Sequence, residues 1–252
     1  MYRTGNSFFS NIPPVTKNLI IINFIIWLAT TLVGRKFGLD IDRYCGLHYF
    51  GSELFNPIQL VTYMFLHANF MHLFLNMFAL FMFGISLEYV LGHKRFLFYF
   101  ISCGIGAALV QEGVYAFMVH KYASMLPPDI VATITQEGPS ILMRGMNYTN
   151  PTAGALNVLL NQATVGASGG VYGVLLAFGM LFPNRLIYIM FIPVGIKAKW
   201  MVIAYGAIEL LEGIGMNTGD NVAHFAHLGG MLFGILMILY WRKKGTIFGE
   251  YY

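Results

Sequence analysis

The sequence contains few charged residues. They make up 10% of its 252 residues, against about a quarter in an ordinary soluble domain. Apolar residues make up 57%, and the mean hydropathy is +0.65. Internal repeats and low-complexity tracts are also absent. The composition therefore argues against an ordinary soluble domain and predicts an integral membrane protein that folds as one unit.

The two cysteines are too few for a disulfide framework. Cys45 lies in the first predicted external loop, and Cys103 lies within the third apolar run. A disulfide between them would join residues at different depths in the membrane, which its short geometry disfavours. We therefore expect two free thiols.

Six apolar runs predict six transmembrane helices. Most of them have the length of about 20 residues that a helix needs to cross a bilayer. Because the hydrocarbon offers no water to backbone amides, each run is expected to be helical. The predicted fold is thus an all-α membrane protein with a six-helix bundle. The runs are residues 19–33, 70–91, 96–119, 165–182, 201–211 and 222–241.

Positive charges indicate the orientation of this bundle. Ten of the fifteen Lys and Arg residues fall on the side of the two termini, which the positive-inside rule assigns to the cytoplasm. The net charge of +4 then requires no nucleic acid partner. The first run lacks a following small-residue cleavage pattern, so we expect a retained helix. The predicted organisation is a cytoplasmic N-terminus (1–17), a membrane domain (18–243) and a cytoplasmic tail (244–252).

Two long stretches connect the predicted spans on the external side. Residues 34–59 are rich in aromatics, which suits an element lying among the lipid headgroups. Residues 121–163 are polar and contain four prolines, so they cannot span the membrane. Because this insertion directly precedes Ser168, it is either a cover over a functional site or a plain connecting loop.

A serine between glycines opens the fourth apolar run, at Gly166, Ser168 and Gly169. Glycines let another backbone approach closely and leave the hydroxyl unshielded. Such residues often serve helix packing alone. The segment also matches the Gly-x-Ser-x-Gly pattern of soluble hydrolases, but that pattern needs a strand before the serine. Residues 157–164 do not predict a strand.

A histidine followed by glycines opens the sixth run. Gly230 and Gly234 form a Gly-x-x-x-Gly face just after His227, and such a face can pack closely against the helix of Ser168. A serine hydroxyl is a weak nucleophile until a base takes its proton, and histidine is suited to that near neutral pH. His224 lies one turn earlier on a similar face. We favour His227, because the glycines follow it directly, and expect His224 to be interfacial.

A third polar cluster lies at the outer end of the second run, at His67, His72 and Asn76. His72 and Asn76 share a helix face, and both can donate hydrogen bonds. One such donor beside a nucleophile stabilises an oxyanion by roughly 3 kcal/mol. Hydrogen bonding between helices without catalysis is an alternative. A metal site of His67, His72 and His227 is another, although the His-Glu-x-x-His motif and an adjacent carboxylate are absent.

Together, the three clusters resemble the rhomboid family of intramembrane serine proteases. The matches are His-x4-His-x3-Asn from His67, Gly-x-Ser-Gly from Gly166 and Ala-His-x2-Gly-x3-Gly from Ala226. They occur in the family's order over about residues 17–243. Each motif is weak alone, but the ordered set is highly specific.

The resemblance implies a serine–histidine dyad without an acidic partner. Ser168 is the implied nucleophile and His227 the implied general base. The backbone amide of Ser168 is an implied oxyanion donor. The other implied positions are His72 and Asn76 in the oxyanion hole, Tyr172 against the imidazole, and His67, Gly166, Gly169, Gly230 and Gly234 in support.

The resemblance also implies the substrates and the setting. Family members cut single-pass or multi-pass membrane proteins near the point where a helix enters the lipid bilayer, and they use no cofactor and no metal. A bacterial-type protein of the inner membrane is implied. We expect water to reach Ser168 through an external cavity. Helix five, with Glu209 and Glu212, and the loop 213–222 would form its movable side. Because the substrate helix must unwind, glycine or proline near the cut should be preferred.

Two departures from the family pattern are visible. The first external loop lacks the Trp-Arg pair seen in many members, and the insertion before Ser168 is longer than in the minimal core. The competing interpretation is a non-catalytic rhomboid-like protein that binds and escorts membrane clients. It predicts loss of the dyad, whereas Ser168 and His227 are both present. A small transporter or channel is a more distant alternative.

Overall fold

The computed structural model describes residues 12–188, 194–215 and 224–247, and helices dominate these ranges. A 3-10 turn spans Tyr63–Phe65, and a π-helical turn spans Leu80–Gly84. Strands β1 (Leu186–Tyr188) and β2 (Gly195–Lys197) pair in antiparallel fashion, with Leu186 opposite Lys197. The helices are α1 (Pro14–Phe37), α2 (Ile41–Cys45), α3 (Gln59–Thr62), α4 (Phe70–Ala79), α5 (Ile85–Leu91), α6 (His93–Ala123), α7 (Pro128–Met143), α8 (Pro151–Asn161), α9 (Ser168–Leu181), α10 (Ala198–Gly215) and α11 (His224–Lys243).

Four helices of the described residues are long and apolar enough to cross a membrane. The fourth predicted run forms the shorter helix α9, with 14 residues. The fifth forms α10, with 18 residues that include Lys199, Glu209 and Glu212. The helical membrane fold agrees with the sequence, while the count of six spans stays a prediction. The four helices are Pro14–Gly34, Phe70–Leu91, His93–Ala123 and His224–Lys243.

The insertion 121–163 is largely helical, so it is not a plain connecting loop. Pro128 and Pro151 lie in the first turns of α7 and α8, where a missing backbone N–H is not needed. The Asn150 side chain caps α8 by accepting from the Ala153 amide at 3.1 Å. The two helices share a small apolar core made of Ile134, Ala153, Leu156 and Leu160.

Helices α6, α9 and α11 pack together most extensively and form the centre of the molecule. Tyr99, Phe100 and Cys103 of α6 are fully buried there. The Tyr99 hydroxyl donates to the Gly173 carbonyl of α9 at 2.7 Å, which fixes α6 to α9. Cys45 and Cys103 are both free, as the sequence predicted.

Glu88 of α5 is fully buried and holds the N-terminus of α1. Its carboxylate accepts from the amides of Val15 at 2.9 Å and Thr16 at 2.7 Å, and from the Thr16 hydroxyl at 2.7 Å. The first amides of a helix have no intrahelical partner and carry the positive end of the helix dipole. Glu88 therefore supplies, from another helix, the cap that α1 lacks.

We expect Glu88→Ala to lower the free energy of unfolding by about 2–4 kcal/mol, because it leaves buried donors without an acceptor. Thermal unfolding of the purified protein in detergent measures this. Glu53→Ala is the matched control, since the Glu53 side chain is exposed. Equal unfolding temperatures for the two variants would contradict the assigned role of Glu88.

Candidate active site

Ser168 and His227 lie at the facing ends of α9 and α11. Although 59 residues separate them in the chain, His227 Nε2 lies 2.8 Å from Ser168 Oγ. This is an ordinary hydrogen-bond distance, and the hydroxyl donates when Nε2 carries no proton. The His227 side chain is only 12% exposed. A hydroxyl that could act as nucleophile and an imidazole that could act as base are therefore in direct contact, and the imidazole is largely buried.

Glycines bring the two helices this close together. A Cβ atom at Gly230 would lie 2.0 Å from the Gly169 carbonyl oxygen, and one at Gly234 would lie 2.4 Å from Tyr99 Oη. Neither position of α11 has room for a methyl group. The predicted Gly-x-x-x-Gly face thus packs against α9 and sets the depth of His227 relative to Ser168.

The segment before Ser168 is fixed by backbone hydrogen bonds. Thr164 and Leu47 exchange two bonds of 2.9 and 2.8 Å, and the Gly166 amide donates to the Tyr63 carbonyl at 2.9 Å. Gly166 has a φ of 138°, a conformation that residues with a Cβ rarely adopt. Helix α9 begins directly afterwards, at Ser168. The Ser168 amide is therefore among the first helical N–H groups, which lack an intrahelical acceptor.

His72 of α4 lies beside this segment. A Cβ atom at Gly166 would lie 2.9 Å from His72 Nε2 and 3.6 Å from Ser168 Oγ, so the imidazole and the hydroxyl flank the same backbone atom. The Asn69 side chain caps α4 by accepting from the His72 amide at 2.8 Å. Asn76 is buried and donates one N–H to the His72 carbonyl at 2.9 Å, which leaves its second amide proton for another acceptor.

His67 supports His72 from the preceding loop. The two rings lie 5.1 Å apart in an edge-on arrangement, and His67 is buried. Burial, together with the nearby His72 imidazole, lowers the pKa of His67 to about 3. His67 is therefore an uncharged packing partner for His72.

Tyr172 of α9 lies flat against the base. Its ring stacks on the His227 ring, with centroids 4.2 Å apart and planes 7° from parallel. Its hydroxyl donates to Glu209 Oε1 of α10. Tyr172 thus links the orientation of the imidazole to a carboxylate on a third helix.

That carboxylate also contacts both histidines of α11. Oε2 of Glu209 lies 2.7 Å from His224 Nδ1 and 3.0 Å from His227 Nδ1. The second contact is within ion-pair distance, but the His227 N–H is not aligned well enough for a regular hydrogen bond. His224 is buried within the protein, beside Glu209. The resemblance implied no acidic partner for the base, whereas Glu209 lies beside it.

Glu209 is the site residue that the sequence analysis did not place beside the base. A signal was present, because a carboxylate within an apolar run is costly to bury and usually has a partner. The position of that partner depends on how α10 packs, which hydropathy does not indicate.

Within the described ranges, one group of His and acidic residues has ligand atoms close enough together to hold a metal ion. It consists of Glu209, His224 and His227, whose ligand atoms lie within 4.8 Å of one another. The imidazole set His67, His72 and His227, considered as a metal site from the sequence, does not form such a group there. The hydrogen bond and ion-pair contacts of Glu209 account for the positions of all three residues without an ion.

A cavity of about 1230 Å³ opens beside the hydroxyl. Side chains of α4 and α10 line it, and so do residues of α8, which makes the insertion part of its wall. Such a volume is many times the share of about 30 Å³ that one water occupies, so several water molecules fit beside Ser168. In the loop predicted to move, 213–215 end α10, and 216–223 lie outside the described residues. The polar residues lining the cavity include His72, Asn76, Ser168 and His227.

Comparison with known proteins adds a family match and relatives. The family model of the Rhomboid domain matches residues 55–244. The chain is 28% identical to "Rhomboid protein 1, mitochondrial" of Saccharomyces cerevisiae over 75% of its own length and 43% of that protein. It is 26% identical to "Putative rhomboid protease YdcA" of Bacillus subtilis over 91% of its own length and 89% of that protein. For "Presenilin-associated rhomboid-like protein, mitochondrial" of Homo sapiens the values are 27%, 79% and 44%. The chain thus spans less than half the length of these two mitochondrial relatives.

Proposed function

Since the chain belongs to the rhomboid family, we propose that it is an intramembrane serine endopeptidase that uses Ser168 as nucleophile and His227 as general base. The observation that carries the proposal is the 2.8 Å contact between His227 Nε2 and Ser168 Oγ, two residues that line the cavity. The Bacillus subtilis relative "Putative rhomboid protease YdcA", which aligns with 91% of this chain, supports the same activity.

The proposed reaction begins when Ser168 Oγ attacks the scissile carbonyl carbon and its proton passes to His227 Nε2. The carbonyl oxygen becomes an oxyanion. The Ser168 amide, at the positive end of α9, and the side chains of His72 and Asn76 are the proposed donors to that oxygen. His227 then returns the proton to the leaving amine as the C–N bond breaks, which leaves an acyl-enzyme on Ser168.

Hydrolysis of the acyl-enzyme needs water at membrane depth. The cavity, with its polar lining residues, is the proposed route for that water, since the bilayer interior supplies none. Attack by water, with His227 again as base, releases the second fragment and restores Ser168. Substrate backbone must be extended to present its carbonyl, so helices weakened by glycine or proline near the cut are the proposed substrates.

The proposed setting is the bacterial inner membrane, with six spans and both termini in the cytoplasm. In this arrangement α9 and α10 are the fourth and fifth spans. The helices α7 and α8 would then lie on the external side. Residues of α8 line the cavity, so the insertion is proposed to guide the part of the substrate outside the bilayer. The substrates are single-pass or multi-pass membrane proteins.

Labelling with a fluorophosphonate probe tests the proposal, because the probe bonds only to an activated serine. We expect the wild-type protein in detergent or liposomes to be labelled, and Ser168→Ala to lose essentially all labelling. Ser124→Ala is the matched control, since Ser124 is exposed beyond the end of α6, and we expect it to label fully. A wild-type protein that neither labels nor cleaves a model transmembrane substrate would instead indicate a non-catalytic, client-binding protein.

A further inference from the structure

The carboxylate of Glu209 occupies a place that the proposed dyad does not explain. Glu209 lies on α10 and is only 6% exposed. A buried carboxylate is costly unless charged or hydrogen-bonding partners surround it. Its partners are Tyr172, His224 and the proposed base His227.

The two nitrogens of the His227 ring face different groups. Nε2 lies 2.8 Å from Ser168 Oγ, and Nδ1 lies 3.0 Å from Glu209 Oε2. The order is thus hydroxyl, imidazole, carboxylate. A negative charge beside Nδ1 favours the tautomer that carries its proton on Nδ1, which leaves Nε2 free to accept a hydrogen bond. The same charge stabilises the positively charged ring that forms when Nε2 takes the serine proton.

We infer that Glu209 is a positioning residue of the proposed reaction, holding the His227 tautomer and stabilising the imidazolium that forms during attack by Ser168. The inference rests on the proposed protease function. The imperfect alignment of the Nδ1–H fits this role, because the attraction between a charged ring and a carboxylate depends on distance more than on direction. The contact is therefore stronger in the transition state than in the resting protein, as catalysis requires.

The rest of the network holds the carboxylate in place. Tyr172 donates to Oε1, and its ring also stacks on His227. His224 Nδ1 lies 2.7 Å from Oε2. Among the described residues, those lining the cavity include Glu212 but not Glu209. Glu209 accordingly acts on substrate only through His227.

The alternative role for Glu209 is purely structural, as a tie between α10 and α11. Glu209→Gln separates the two roles, because glutamine keeps the shape and can still accept from Tyr172, but lacks the charge. We expect Glu209→Gln to lower kcat roughly 10–100-fold with KM nearly unchanged, a smaller loss than for removal of the base, since Tyr172 still orients the ring. Glu209→Asp restores the charge and is expected to recover part of the lost kcat.

Glu53→Gln is the matched control. It is the same substitution at an exposed side chain that does not line the cavity, and we expect kcat within about twofold of wild type. Cleavage of a transmembrane substrate in liposomes gives kcat and KM, the rate of fluorophosphonate labelling follows the activation of Ser168 alone, and Tm in detergent reports stability.

The outcomes are distinct. Loss of kcat and of labelling rate in Glu209→Gln, with partial recovery in Glu209→Asp and a normal Glu53→Gln, supports the inference. If wild type reacts through Ser168 and Glu209→Gln reacts equally fast, the inference fails and the proposed protease stands. A change confined to KM or Tm, or an Asp variant no faster than the Gln variant, assigns Glu209 a structural role and also overturns it. If the wild-type protein shows no Ser168-dependent reaction, the proposed function and the inference fail together.

Discussion

Replacing His227 by alanine is expected to lower kcat for cleavage of a transmembrane substrate by at least about 10⁴-fold, with little change in KM. The Ser168 hydroxyl is 2.8 Å from His227 Nε2, and the variant leaves it with no base to take its proton. Substrate contacts elsewhere in the cavity persist, so binding is largely kept. Time courses in liposomes, at enzyme concentrations high enough to detect single turnovers, measure the residual rate.

His120→Ala is the matched control for this prediction. His120 is exposed near the end of α6, far along the chain from the three polar clusters, and we expect its variant to cleave like wild type. If His227→Ala keeps more than a tenth of the wild-type kcat, then His227 is not the base, and His224 becomes the residue to replace next.

Replacing Gly230 by alanine is expected to remove about 99% of the activity, although Gly230 contacts no substrate. A methyl group there would lie 2.0 Å from the Gly169 carbonyl oxygen, and backbone cannot turn aside as a flexible side chain can. Helix α11 must therefore shift away from α9. A displacement of about 1 Å between reacting groups costs roughly 100-fold in rate, and the overpacking itself costs about 1–3 kcal/mol of stability.

Gly113→Ala is the appropriate comparison, because Gly113 lies within α6 and a Cβ atom there meets nothing within 4 Å. We expect it to be as active as wild type and equally or slightly more stable, since alanine favours helix over glycine. Kinetics and Tm of both variants are measured together. A fully active Gly230→Ala protein would mean that the helices at this contact yield easily and do not set the distance between Ser168 and His227.

Much of this arrangement follows from local patterns in the sequence. The apolar runs indicate membrane helices because an amide in hydrocarbon has no other partner. The glycines after His227 and around Ser168 indicate a close helix contact, and this contact helps to bring residues 59 positions apart within 2.8 Å. The Rhomboid domain match over residues 55–244 agrees with the order of the three polar clusters.

Other features depend on packing that the patterns do not carry. Glu209 lies on α10, whose rotation and position decide whether its carboxylate faces lipid, water or His227. The burial of His224 depends on the position of α10 as well, because His224 lies beside Glu209. The helices of the insertion are more accessible to sequence reasoning, since Pro128 and Pro151 are typical of first helical turns. The role of Glu88 as a cap for α1 cannot be predicted from the sequence, because it depends on the N-terminus of α1 lying next to α5.

Glu209 belongs to α10, whereas Ser168 and His227 belong to two helices joined tightly at glycines. Any outward swing of α10 that widens the cavity also carries the carboxylate away from the imidazole. Substrate binding and peptide-bond cleavage then place opposite demands on α10. A substrate with bulky side chains that keeps α10 displaced outward meets a weakened base, whereas a substrate with small side chains allows α10 to return before the bond is attacked. Side-chain size near the cleavage site would therefore affect kcat separately from substrate affinity.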